Sequence, residues 1–249
     1  MSWISLERLE RKPEITGIEV EEALGFASGQ VIRNLPEFTD RFQKAYSDNG
    51  FYEPTENVDW TPGFWTGEIW LAYEYAKDPD LKRAGEVQME SFLRRIETGS
   101  DVETHDLGFM YSPSCVAGYK LTGNGQGKRA AVMAADQLIT RYHPIGEFIQ
   151  AWGPMDQPEN YRFIIDCLLN LPLLYWASEE TGDEKYRDIA EKHIHTAIAN
   201  VIREDYSTWH TFFMNMETGE PDHGATCQGY RVKLKAFRRI ATRYDKLAF

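Results

Sequence analysis

Asp166 is the residue whose surroundings point most clearly to chemistry. It lies in an apolar stretch, Arg162 to Ala177, that is rich in leucine, isoleucine and aromatic residues. The pattern predicts a buried helix over about 160–177. An isolated ionised carboxylate there is costly, so it must find partners or keep its proton near neutral pH, and a protonated carboxyl group can act as a general acid. The alternative is a structural aspartate that the backbone or a neighbour satisfies by hydrogen bonding.

A second aspartate, Asp106, lies in an aromatic setting that includes His105, Phe109 and Tyr111. The chain also carries seven tryptophans. This combination weakens the structural interpretation of Asp166 and leaves the catalytic one open.

The elements that must position these residues are predicted to be helices. Thr61-Pro62 and Asp78-Pro79 each indicate a helix start, with an N-cap residue followed by proline at the first helical position. Apolar residues at helical spacing extend the assignment to seven helices. They cover about 20–35, 62–76, 79–99, 107–121, 131–139, 160–177 and 183–203.

The predicted fold class is all-α. Only Trp209 to Glu217 is strand-like, with Thr218-Gly219 as its turn. Consecutive helices with short connections pack as antiparallel hairpins, which form either a solenoid or a closed ring. No fixed sequence period is visible, which disfavours a solenoid array. Tryptophan and tyrosine near the helix starts favour a ring with an aromatic mouth.

Composition excludes several function classes. A net charge of −12 over 249 residues argues against a nucleic-acid partner. No apolar run is long enough to span a membrane, and the N-terminus lacks the features of a secretory signal. The cysteines Cys115, Cys167 and Cys227 show no paired spacing, which suits a reducing compartment. We therefore expect a cytoplasmic protein without membrane partners.

Residues 231–249 differ in charge from the rest of the chain. They contain seven of the 27 lysines and arginines and one of the 39 acidic residues. One interpretation is a basic amphipathic helix, with Phe237, Ile240, Ala241, Tyr244 and Leu247 on one face. The other is a break in the reading frame near Tyr230. We expect 1–230 to form one unit and 231–249 to be an atypical basic tail.

Several segments together resemble the unsaturated glucuronyl hydrolases of glycoside hydrolase family 88. The resemblance covers about 15–230 in matching order and spacing. It is carried by Asn57 to Glu68, His105 to Phe109, the Asp166 segment, Trp209 to Pro221 and Gln228 to Tyr230. It implies an (α/α)6 barrel of six helical hairpins. It also implies hydrolysis of the 4,5-unsaturated uronic acid that lyases leave on glycosaminoglycan fragments, with unsaturated disaccharides as the substrates.

The resemblance also implies residue roles. Asp166 corresponds to the family's acid/base, which protonates C4 of the enol ether and then guides water onto C5. Asp106 corresponds to a second aspartate that holds sugar hydroxyls and favours protonation of Asp166. His210 and Gln228 correspond to residues near the reacting ring, and Trp60 and Trp152 to aromatic positions that stack on sugars. No cofactor is implied. His193 with His195, or His210 with His223, lacks the spacing to carboxylates that a metal site needs.

The sequence departs from the family after Tyr230. The family continues with an Arg-Gly-Gln-Ala-Trp motif and further helices, whereas Arg231 onward shows no likeness to them. The resemblance therefore implies that 1–230 is a partial (α/α)6 glycosidase domain, a C-terminally truncated barrel. We expect it to have low stability or to self-associate through its open edge. Three functions stay open: the glucuronyl hydrolase, a non-catalytic remnant that binds sugar or nothing, and an unsaturated rhamnogalacturonyl hydrolase.

Overall fold

The computed structural model describes residues 15–227. Eight α-helices lie in this range, joined mostly by short connections. They are α1 (Gly17–Phe38), α2 (Pro62–Ala76), α3 (Pro79–Glu97), α4 (Leu107–Tyr111), α5 (Ala117–Thr122), α6 (Gly125–Ile139), α7 (Leu171–Thr181) and α8 (Lys185–Val201). A π-helical turn, Ser112–Val116, joins α4 to α5 into one continuous segment. The predicted tail, 231–249, lies outside the described residues.

The helix starts follow the proline signals. Helix α2 begins at Pro62, although Thr61 makes no capping hydrogen bond through its side chain. Helix α3 begins at Pro79, where the Asp78 side chain accepts a hydrogen bond from the Asp80 amide at 2.8 Å. Six of the seven predicted helical segments are confirmed in position, with ends that shift by a few residues.

The predicted helix over 160–177 is wrong in its first half. Residues Arg162–Ile164 form a strand, Ile165–Asn170 a 3-10 helix, and only Leu171–Thr181 is α-helical. Phe163 pairs with Phe212 in the neighbouring strand, and this tertiary pairing overrides the helical preference of the segment. Asp166 therefore lies in a short turn of 3-10 helix after a strand.

The strands are short and form three small antiparallel sheets. They are β1 (Phe42–Gln43), β2 (Pro54–Thr55), β3 (Tyr142–His143), β4 (Phe148–Ile149), β5 (Arg162–Ile164), β6 (Thr211–Met214) and β7 (Pro221–Ala225). The largest sheet has the order β5-β6-β7. The strand predicted at 209–217 is confirmed as β6, and Gly219 turns the chain with a φ of 73°.

Two buried clusters hold the described residues together. The larger lies between the helices and includes Trp70, Phe92 and Tyr111. The smaller lies between α8 and the β5-β6-β7 sheet and includes Phe163 and Phe212.

The N-terminal half of α1 is not buried. Val20 and Leu24 were predicted to lie on its apolar face, yet they are 46% and 45% exposed, whereas Val31 and Leu35 pack into the core. No helix among residues 15–227 is both long and apolar enough to pass through a lipid bilayer.

Candidate active site

A cavity of about 580 Å³ brings five of the six predicted site residues together. Its lining consists of Trp60, Thr104, Asp106, Phe109, Trp152, Ile164, Ile165, Asp166 and His210. The sixth predicted residue, Gln228, lies outside the described residues.

Asp166 reaches the pocket from the 3-10 helix that follows β5. The Ile165 amide donates a hydrogen bond to the His210 carbonyl at 2.9 Å, so His210 is held beside Asp166. The Asp166 side chain is 31% exposed. Its Oδ1 is buried and has no hydrogen-bond partner among residues 15–227.

The pKa of the Asp166 carboxyl is raised above its ordinary value. Burial is the largest cause, since it disfavours the charged form. His105 and His210 oppose the rise, and the negative charge of Asp106 adds to it. The environment therefore favours the protonated acid that a proton donor needs.

Asp106 is brought to Asp166 by a close helix contact. It immediately precedes α4, in which Gly108 lies so near the 3-10 helix that a Cβ there would be 2.2 Å from the Asn170 Cα. The Phe109 amide donates a hydrogen bond to Asn170 Oδ1 at 3.1 Å. Glycine at 108 thus allows the two segments that carry the aspartates to touch.

His105 lies between the two aspartates. It is 1% exposed, its Nε2 is 3.1 Å from Asp106 Oδ1, and the same atom is 3.9 Å from Asp166 Oδ2. Its amide donates a hydrogen bond to the Ala151 carbonyl at 2.8 Å, which ties it to the loop before Trp152. An imidazole in this place can interact with both carboxyl groups.

His105, Asp106 and Asp166 offer three ligand atoms that lie within 4.8 Å of one another. Such a set could bind a divalent cation if both carboxyl groups were ionised. The raised pKa of Asp166 works against this, because a metal ligand must be deprotonated. The geometry fits proton transfer better than metal binding.

His193, considered above as a metal ligand, is buried. Its Nδ1 accepts a hydrogen bond from the Ile149 amide at 3.0 Å, and burial lowers its pKa to about 3.

Aromatic rings form one side of the pocket. Trp60 is 45% exposed and packs edge-on against Phe64 and Phe109, at centroid distances of 6.2 and 6.3 Å. Phe64 and Phe109 stack at 5.5 Å. Trp60 therefore projects from a fixed aromatic cluster and stays partly exposed at the pocket.

Trp152 forms another wall, on a loop that buried polar side chains hold in place. A β-bridge joins it to Thr104, next to His105. The Arg141 guanidinium donates to the carbonyls of Gln150 and Gly153, both at 3.0 Å, and the Gln150 side chain donates to the Trp152 carbonyl at 3.1 Å. These contacts fix the backbone on either side of the indole.

Three residues of this site escape sequence reasoning: His105, Arg141 and Gln150. His105 adjoins Asp106 in a segment with a clear pattern, so its position next to the acid was a usable signal. Arg141 and Gln150 carry no such signal, because their importance depends on carbonyl groups that only the folded loop brings to them.

Helical hairpins around a pocket that combines a half-buried acid, a second aspartate and projecting tryptophans define a site of the glycosidase type. The chain belongs to glycosyl hydrolase family 88, whose family model matches residues 34–232.

The chain is 46% identical over 226 residues to the unsaturated chondroitin disaccharide hydrolase of Streptococcus pneumoniae, an alignment that covers 91% of this chain and 57% of the relative. The crystal structure of unsaturated glucuronyl hydrolase from Streptococcus agalactiae superposes with a TM-score of 0.85 at 42% identity, covering 94% of this chain and 62% of that one. A mutant of that enzyme, complexed with dGlcA-GalNAc6S, gives a TM-score of 0.74 at 37% identity, covering 96% and 62%.

These matches confirm the predicted family and the (α/α)6 barrel class, of which this chain carries part. The chain spans little more than half the length of the curated relative, at 57%.

Proposed function

We propose that the pocket binds lyase-generated glycosaminoglycan disaccharides and releases their 4,5-unsaturated glucuronic acid by hydration of the C4=C5 double bond. The observation that carries the proposal is the pairing of Asp166 and Asp106 around His105 in one cavity, with the pKa of Asp166 raised. Membership of family 88 supports the same chemistry.

The reaction needs a proton donor first and a base second. The Asp166 carboxyl gives its proton to C4, and water adds to C5 while its proton passes to the Asp166 carboxylate. Hydrogen and hydroxyl are thus added across the double bond, and the acid is regenerated. The hemiketal formed at C5 then opens to a ketone, which leaves a hemiacetal at C1, and breakdown of this hemiacetal to an aldehyde releases the second sugar. A raised pKa at Asp166 suits this cycle because the residue begins each turnover protonated.

The other pocket residues take supporting roles in this proposal. Asp106 holds sugar hydroxyls and, through its charge, favours the protonated form of Asp166. Trp60 and Trp152 offer indole faces to the sugar rings, and His210 lies beside the reacting carbons. Gln228 is proposed as a further binding residue from the family resemblance alone.

An absorbance assay tests the activity. Purified protein is incubated with an unsaturated chondroitin disaccharide, and the loss of absorbance from the conjugated alkene is followed. We expect a loss that Asp166→Asn abolishes and that Asp188→Asn, an exposed aspartate of α8, leaves unchanged. An unsaturated rhamnogalacturonyl disaccharide in parallel tests the related pectin-directed activity and should give no signal.

Binding without turnover is the second candidate, because Asp106, Trp60 and Trp152 line the same pocket and could hold a sugar without any proton transfer. Quenching of tryptophan fluorescence by the disaccharide, with no loss of alkene absorbance, would support it. Absence of both signals would reject both functions.

We also propose a cytoplasmic location. Cys115 and Cys167 are buried and unpaired, and Cys227 is exposed and unpaired, as expected of a protein in a reducing compartment. The division into 1–230 and a separate basic tail at 231–249 stays a prediction, which limited proteolysis with mass analysis of the fragments would test.

A further inference from the structure

A buried arginine on α3 holds the loop that carries Trp60. Arg95 is 3% exposed, and its guanidinium donates four hydrogen bonds to other described residues. Nη1 donates to Asn57 Oδ1 at 3.0 Å, and Nη2 donates to the Asp59 carbonyl at 2.9 Å. Nη2 also donates to the carbonyl and to Oδ2 of Asp101, at 2.8 and 3.0 Å. One cation thus joins two loops that are distant in the sequence.

The same two loops are bonded to each other where the backbone is strained. The Asp59 amide donates to Asp101 Oδ2 at 2.6 Å, the oxygen that Arg95 also contacts. Asp59 and Asp101 have φ angles of 68° and 51°, in the left-handed region that is uncommon for residues other than glycine. Backbone angles of this kind persist where the surrounding contacts impose them. Here those contacts act on the residue immediately before Trp60.

A second buried arginine, Arg141, holds the segment between α3 and α4 at another point. Its Nη1 donates to Glu103 Oε2 at 3.3 Å. Its Nε and Nη2 donate to backbone carbonyls on either side of Trp152. Residues 101–106 are thus attached to the Trp60 loop through one arginine and to the Trp152 loop through the other.

Asp106 is the last residue of this segment and lines the pocket together with both tryptophans. Its amide donates to Thr104 Oγ1 at 3.2 Å, which ties it to the segment that the arginines hold. Burial lowers the pKa of both guanidinium groups, and nearby carboxylates, Asp106 among them, oppose this change. Both cations therefore lie within electrostatic range of Asp106.

We propose that Arg95 is a positioning residue that sets the place of Trp60 relative to Asp106, and that Arg141 separately does the same for Trp152. The inference rests on the proposed function in so far as the indoles are to bind sugar. A guanidinium suits this role because its rigid, planar set of donors can hold several oxygens at once, whereas an ammonium is a point charge on a flexible stem.

Fluorine-19 spectra of protein labelled with 5-fluorotryptophan test the two positions separately. Trp60→Phe and Trp152→Phe assign the two signals. Arg95→Lys should shift or broaden the Trp60 signal and leave that of Trp152 in place, and Arg141→Lys should do the reverse. Arg94→Lys is the matched control and should move neither signal, because Arg94 precedes Arg95 on α3 and its side chain is 71% exposed.

Asp101→Asn provides a second variant that keeps the buried arginine in place and decides the question if Arg95→Lys fails to fold. The Asp101 side chain is 50% exposed, and asparagine tolerates the left-handed region. Loss of the carboxylate charge weakens the bonds from Arg95 and from the Asp59 amide. The Trp60 signal should therefore move, and the Trp152 signal should not.

Steady-state kinetics with an unsaturated chondroitin disaccharide add a functional readout. Arg95→Lys should raise KM about two- to tenfold, the range expected for a stacking contact, and change kcat less than twofold. A fall in kcat with KM unchanged would overturn the role assigned to Arg95, since a sugar-stacking ring acts through binding.

The fluorine spectra decide the proposal even without turnover. Movement of both tryptophan signals in each arginine variant would overturn it, because it would show general loosening of the fold. Movement of neither signal would also overturn it. If the chain has no activity on the disaccharide while each arginine variant moves its own tryptophan, the proposed function fails and the positioning roles stand.

Discussion

The backbone of Gly108 packs directly on the backbone of Asn170, and a methyl group at residue 108 would lie 2.2 Å from the Asn170 Cα. This contact sets the separation of Asp106, two residues before Gly108, from Asp166, four residues before Asn170. The spacing of the two acids is thus decided by a residue without a side chain.

Gly108→Ala should force α4 away from the 3-10 helix. Because the obstructing atoms belong to the backbone, relief requires a shift of one segment, and we expect a loss of about 1 to 3 kcal/mol in the free energy of unfolding. Denaturant unfolding measures it. Gly125→Ala is the control, since a Cβ at that helix position meets nothing within 4 Å. Equal stability of the two variants would contradict the proposed close contact.

Asp166→Asn should stabilise the protein at neutral pH. The folded-state pKa of Asp166 is raised by burial, so the residue favours folding when protonated and this contribution is lost as pH rises through the folded-state pKa. The asparagine side chain carries no charge at any of these pH values, so the variant does not lose stability in this way. The variant should therefore be more stable than the parent near pH 7, with a difference that shrinks below about pH 4, where the unfolded acid is also protonated. A difference independent of pH would argue against the raised pKa.

The two neighbours of Asp166 should move its pKa in opposite directions. Burial has the largest effect on this pKa. Of the next two effects, attraction by His105 lowers the pKa and repulsion by Asp106 raises it. His105→Asn should therefore raise the pKa of Asp166, and Asp106→Asn should lower it. Carbon-13 spectra of the labelled carboxyl groups, recorded against pH, report each shift directly. Shifts of the same sign in both variants would mean that general rearrangement, not the pairwise interactions, controls the acid.

An apolar groove of about 560 Å³ lined by the 3-10 helix and α8 should mediate self-association. It is lined by the exposed side chains of Leu168, Leu169 and Ile198, together with Tyr206, which is 91% exposed. Burial of such a surface against a second copy is favourable at about 25 cal/mol per Å². We expect sedimentation velocity to show a species heavier than the monomer that grows with protein concentration.

Leu169→Lys should shift that equilibrium toward the monomer, because the charge would have to be buried at the contact. Leu71→Lys is the matched control, since Leu71 is also exposed, at 68%, and lies on α2. A parent chain that stays monomeric at all concentrations, or a Leu71→Lys variant that dissociates equally, would reject the groove as the contact.

Local signals in the sequence predicted the helices well and the site partly. Thr61-Pro62 and Asp78-Pro79 mark helix starts because proline is restricted in its backbone angles wherever it occurs, so neighbouring structure changes little. The pattern around Asp166 misled because an apolar stretch does not distinguish a buried helix from a buried strand. Phe163 and Ile164 pair with a strand some fifty residues later, and no local sequence signal in the segment predicts that pairing.

The site shows the same division between local and distant causes. Asp106 and Asp166 could be named from their apolar surroundings and the family resemblance. His105 could be noticed beside Asp106, but its place between the two acids could not be derived. That place depends on backbone contacts between distant segments, such as the hydrogen bond from His105 to Ala151 and the one from Ala151 to Arg162.

These contacts between distant segments affect the order in which the parts of the chain fold. Helices α2 and α3 are neighbours along the chain and can pack as soon as both have left the ribosome, whereas the pocket also needs His210 and β6, which are synthesised much later. Contacts between remote segments form slowly because a large loop must close first. The pocket around Asp166 is therefore expected to form last, after the helical scaffold is in place.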